Sequence, residues 1–166
     1  STLQPTKKES NIPNINTIPG DDVFYMDCRI LPCYTVAEVM EKIKAAGMCI
    51  VVVTGSGQLP LIERLQHDFK GFVTADKIVS AYDVTRGKPA PDPYLMGLQK
   101  AGDLLPWQGI VVENAPMGVR AGVAAKIFTI AVNSGPLPNA TLAGEGANIV
   151  FDRMTQLRDT WMNDHD

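Results

Sequence analysis

The 166 residues suffice for one domain with a real core. An apolar fraction of 45%, a charged fraction of 20% and a net charge of -3 describe an ordinary globular chain, and they exclude a general nucleic-acid binder, which needs a basic surface. No apolar run approaches the roughly 18–20 residues that cross a bilayer, so neither a membrane nor a nucleic acid is the expected partner.

Residues 1–20 hold Pro5, Pro13 and Pro19, lack an apolar leader segment and read as a loosely held arm or linker. Residues 21–166 read as one core domain. Cys28, Cys33 and Cys49 cannot all pair, and no His lies near them in sequence. They read as reduced thiols of a cytoplasmic protein. Asp22 to Met26 is a strand candidate that ends near Asp27. Thr35 to Ala46 is a helix, with Val36, Val39, Met40 and Ile43 on one face and a Thr35–Glu38 capping box. Gly47 stops it.

Cys49 to Val53 is a short apolar run, rich in β-branched residues, that enters the turn Thr54-Gly55-Ser56-Gly57. It predicts a buried parallel strand. Leu61, Ile62 and Leu65 then recur at helical spacing. The turn thus joins a strand's carboxyl end to a helix's amino end, where backbone N–H groups hold anions. Lys77 to Ser80 predicts a short strand. Arg86 to Pro93 is a proline-rich loop, and Asp92 is expected to cap a helix carrying Tyr94, Leu95 and Leu98. Gly109 to Val112 predicts a strand, Met117 to Ala125 a small-residue helix, and Phe128 to Val132 another strand. Asn133 to Pro138 reads as a loop. Ala147 to Val150 reads as the last strand, before a helix striped by Met154, Leu157 and Trp161. The methionines, Trp107 and Trp161 are expected to pack.

This alternation predicts a three-layer α/β/α domain on a doubly wound parallel sheet. In such sheets ligands sit beyond the carboxyl ends of the strands. Tyr25 with Asp27, Thr54 to Ser56, Lys88, and Glu113 with Asn114 all stand at strand ends or in nearby loops. Hydroxyls and amides of the turn suit phosphate oxygens, and Lys88 adds a point charge. Glu113 and Asn114 offer oxygen ligands for a hard cation such as Mg²⁺.

Val51 to Ser56, Gly87 to Tyr94 and Val111 to Gly118 resemble motifs II, III and IV of the haloacid dehalogenase superfamily, in its β-phosphoglucomutase-like phosphatase branch. The resemblance implies a Rossmann-like core and a Mg²⁺-dependent phosphatase or phosphomutase acting on a small phosphorylated metabolite such as a sugar phosphate. It places Thr54 and Lys88 on the phosphoryl group and Gly55, Ser56 and Gln58 near the substrate. Glu113, Asn114 and Asp27 fall at the metal. The first motif departs from the family. Tyr25 stands at the nucleophile position, Asp27 at the acid/base position and Cys28 at the glycine. A shifted alignment makes Asp27 the nucleophile, with Arg29 at the acid/base position; in a third, the stretch is not the first motif and the chain is a fragment. The family's helical cap would fall between Leu31 and Thr35, which are nearly adjacent. Two functions stay open: an enzyme whose available nucleophile is Asp27, and a non-catalytic relative that binds phosphate or a partner. Oligomeric state is not legible.

Overall fold

The computed structural model describes the backbone of residues 2–9, 23–29 and 36–163 and the side chains of residues 40–160. Thr2–Glu9 (β1) and Val23–Arg29 (β2) form an antiparallel ribbon. Helix α1 spans Val36–Ala45, followed by Gly47 at φ 76°, a conformation open to glycine. Val52–Val53 (β3), helix Leu59–Asp68 (α2) and Ile78–Val79 (β4) follow, and β3 pairs with β4 in parallel. Helix Asp92–Lys100 (α3) leads into Ile110–Glu113 (β5), Pro116–Ala124 (α4), Phe128–Val132 (β6), Asn139–Gly144 (α5), Ile149–Phe151 (β7) and Met154–Asn163 (α6). Strands β5, β6 and β7 make a second parallel sheet in that order. Among the described residues no helix is long and apolar enough to cross a membrane.

The chain is an α/β protein built on parallel sheets flanked by helices. Around β5–β7 the layering follows from the period of two along each strand. Val111 packs with Tyr94 and Leu98 of α3 and Ala121 of α4, and Ala131 packs with Val119 and Leu142. On the opposite face Ile130, Val132 and Phe151 meet Leu157 of α6. Gly122 lets α4 approach β6, because a Cβ there would stand 2.6 Å from Thr129 Oγ1. The two parallel sheets share no backbone ladder among the described residues, so β3 and β5 each keep a free edge. Helix α3 spans them: Gly97 lies against Val51 and Val53, and Tyr94 and Leu98 lie against Val111.

Several expectations are corrected. Within the first twenty residues Thr2–Glu9 forms β1, to which no strand was assigned from the sequence and which draws its ladder from β2. Its register shifts between Pro5 and Lys7, where proline lacks a ladder donor. Strand β2 pairs with β1 and stands outside the parallel sheets. Helix α5 occupies residues to which the sequence pattern assigned no element. Asp92 is the first residue of α3 and makes no cap; its carboxylate takes Arg86 instead. Trp107 and Met117 are exposed, not packed. The Thr35–Glu38 box and the Trp161 side chain lie outside the described residues.

Candidate functional site

Strand β3 ends where Thr54 N–H donates to Val79 carbonyl at 2.9 Å, extending the parallel ladder by one step. The chain then turns. Ser56 N–H donates to Thr54 Oγ1 at 3.1 Å, and Gln58 N–H donates to Ser56 Oγ at 3.2 Å. Gln58 carbonyl accepts from Leu61 and Ile62, opening α2. Both hydroxyl oxygens therefore brace their own turn, and each retains an O–H that can donate outward. A Cβ at Gly55 would meet nothing within 4 Å, so the backbone there is open to an incoming group. Ala81 N–H donates to Ser56 carbonyl, and the exposed Tyr82 ring lies against Gly57.

Lys88 arrives from the proline-rich loop, in which the Lys88–Pro89 bond is cis. Its ammonium donates to Val53 carbonyl at 3.2 Å and pairs with Glu113 Oε1. In a parallel strand alternate carbonyls point to opposite sides. Thr54 faces β4, so Val53 offers its carbonyl to the free edge. One half-buried ammonium thus joins the edge of β3 to the carboxyl end of β5. Tyr94 O–H donates to the same Glu113 oxygen at 2.6 Å, and Lys88 Nζ lies 4.9 Å from the Tyr94 ring centroid. Glu113 Oε2 accepts from the N–H groups of Asn114 and Ala115 at 3.0 and 3.2 Å, just before α4. A Cβ at Gly118 would collide with the Glu113 carboxyl group. Glycine in the first turn of α4 is what gives that carboxylate its place.

Burial raises the Glu113 carboxyl, but hydrogen bonds from Lys88 and Tyr94 more than offset it, leaving it below the usual carboxylate range. Burial, and then the neighbouring Glu113 charge, push the Tyr94 hydroxyl well above its ordinary value. Asn114 Nδ2 donates to Ser134 Oγ at 3.0 Å, tying the end of β5 to the loop after β6.

The structure therefore brings Thr54, Lys88, Glu113 and Asn114 to one rim of the parallel strands. Lys88 and Glu113 meet each other directly, although Lys88 was expected on the phosphoryl group and Glu113 at the metal. Asp27 lies in β2 opposite Gln4, and Tyr25 opposite Lys7; their side chains are outside the described residues. Among the described residues no three His, Cys, Asp or Glu side chains gather as a metal site. The oxygen donors of Glu113 and Asn114 suit a hard cation, but two residues do not complete its shell, and the Glu113 oxygens already take four protein donors. Tyr94 and Gly118 were missed as site residues. The signal for Tyr94 was available: a hydroxyl on an otherwise apolar helix face beside the lysine loop.

Residues 9–132 match the haloacid dehalogenase-like hydrolase family. The chain belongs to that family. Hexitol phosphatase A of Escherichia coli (strain K12) is 42% identical over 96 residues, 58% of this chain and 43% of that protein. A structure from Bacteroides vulgatus that carries the provisional name beta-phosphoglucomutase is 52% identical, with a TM-score of 0.68 over 75% of this chain and 50% of that one. A haloacid dehalogenase family hydrolase of Deinococcus radiodurans R1, solved with bound phosphate and sodium, is 27% identical, with a TM-score of 0.60 over 76% of this chain and 57% of that one. The chain thus spans about half the length of these relatives.

Proposed function

We propose that this chain carries the phosphoryl-binding rim of a phosphomonoester hydrolase or phosphomutase-like enzyme acting on a small phosphorylated metabolite of the sugar or sugar-alcohol phosphate class. The observation that carries the reading is the half-buried Lys88 ammonium, held between the Val53 carbonyl and Glu113 at the mouth of the Thr54–Gln58 turn. A phosphoryl dianion there would draw on Lys88, on the Thr54 and Ser56 hydroxyls and on the backbone at Gly55. The relatives' names, a hexitol phosphatase and a beta-phosphoglucomutase, support the substrate class.

Attack on phosphorus requires a carboxylate, and Asp27 is the one assigned to it; a phenol with a pKa of about 10 at Tyr25 is a poor nucleophile at neutral pH. Mg²⁺ would be held by Asn114 and Asp27, with Glu113 if it yields a protein donor, and when bound would neutralise phosphoryl charge. The residues of the rim bind and orient: Lys88 fixes the phosphoryl oxygens, Thr54 donates to them, and Glu113 holds Lys88. The second reading, a non-catalytic phosphate-binding relative, is favoured by the pairing of β2 with β1 in a ribbon separate from the parallel sheets.

Phosphate release from a panel of hexose and hexitol phosphates, with and without Mg²⁺, separates the two. The enzyme reading expects turnover that Asp27→Asn and Lys88→Met abolish. Phosphate binding without turnover in the parent, with turnover appearing in Tyr25→Asp, overturns it in favour of the second reading.

A further inference from the structure

We infer that Tyr94 is a positioning residue of the candidate site, holding Glu113 by its hydroxyl and Lys88 by its ring, so that the ammonium stays available at the rim. The inference rests on the phosphate-binding reading and names a residue that the motif roles leave unassigned. Tyr94 is 7% exposed and packs with Leu98, Val111, Ala121, Ala125 and Ile127. Phenylalanine would fill that position equally well, and burying a hydroxyl without a partner is costly. The hydroxyl is therefore explained only by its 2.6 Å bond to Glu113. It bonds the same oxygen that Lys88 uses, and its own ring lies beside the Lys88 ammonium.

The shared oxygen sets the direction of the effect. With the hydroxyl present, Glu113 Oε1 divides its electron density between two donors. With the hydroxyl gone, that oxygen turns wholly to Lys88 and holds the ammonium away from an anion. Removing a hydrogen bond to a charged group corresponds to about tenfold or more in affinity. Tyr94→Phe keeps the ring and its packing, so melting should change by only a few degrees while the affinity for inorganic phosphate falls roughly tenfold.

The test uses the full chain with Mg²⁺ and inorganic phosphate, followed by calorimetry. In parallel, NMR records the Lys88 15Nζ and Glu113 13Cδ resonances. The expected result is phosphate binding by the parent, loss in Lys88→Met, a roughly tenfold loss in folded Tyr94→Phe, and displacement of both resonances. Equal affinity with unmoved resonances overturns the role of Tyr94 and leaves the site reading intact. A parent that takes up no phosphate overturns the site reading and this inference together. In the parent, a slowly exchanging Tyr94 hydroxyl proton close to Lys88 is also expected. Its absence overturns the inference however Tyr94→Phe folds.

Discussion

Glu113 is the residue on which the rim converges, because each of its oxygens takes two protein donors. A buried ion pair carries a desolvation cost that only further hydrogen bonds offset, and Glu113 has three of them. Glu113→Gln should therefore destabilise the chain by about 2 kcal/mol, leaving the half-buried Lys88 beside a neutral amide, as thermal or denaturant melting would record. Gly118→Ala tests the space the carboxylate occupies. Alanine in a helix is ordinarily better than glycine by about 1 kcal/mol. Here its Cβ would collide with the Glu113 carboxyl, and overpacking costs about 1–3 kcal/mol, so the expected net effect is a lowered melting temperature. A raised one would show that the carboxylate sits elsewhere.

At the scale of elements, the connection from β4 to α3 is held by Asp83. Its Oδ2 accepts from the Ser80 N–H and hydroxyl at 2.7 Å each, and its Oδ1 accepts from Lys100 at 2.6 Å. Lys100 also reaches the Ile78 carbonyl, so the end of α3 is clamped to β4. Partial burial raises the Asp83 carboxyl, but the Lys100 and Ser80 hydrogen bonds overcome it and bring the value down to about 2. A carboxyl with a lowered folded value adds stability that is fully present above its unfolded value, near 3.8, and is lost as pH falls toward 2. Because solvent screens this lightly buried carboxylate, Asp83→Asn should cost about 1 kcal/mol at pH 7 and little at pH 2, which melting across that range would measure. The exposed Arg120–Glu145 pair joins α4 to the residue after α5. Arg120→Ala should change stability by less than about 1 kcal/mol, since exposed pairs contribute little.

Over the whole molecule, α3 and Lys88 join two parallel sheets that share no ladder among the described residues. A ligand that binds across this junction should stabilise the fold by mass action. Inorganic phosphate at a hundred times its dissociation constant should add roughly 2.7 kcal/mol, and Lys88→Met should remove that gain; scanning calorimetry with and without phosphate reads both. The chain spans about half the length of the relatives it matches, and it runs from Arg29 at the end of β2 to Val36 at the start of α1 within a few residues. On the rim itself, Tyr82 is exposed and the backbone at Gly55 is open.

Local patterning was enough for the parallel core. β-branched runs ending in turn residues announced β3, β5 and β6, helical spacing announced α1 to α4, and three ordered motifs assigned Thr54, Lys88, Glu113 and Asn114 to one rim. Those features depend on residues within a few positions of one another, so periodicity reports them. The ribbon of β1 with β2, the short helix α5 and the exposure of Trp107 could not be read that way, because each depends on which distant surface is available. The pairing of Lys88 with Glu113, the Tyr94 hydroxyl on that carboxylate and the space left by Gly118 were likewise decided only when segments 25 residues apart met. A motif specifies which charges arrive at a site; tertiary packing decides how those charges neutralise one another.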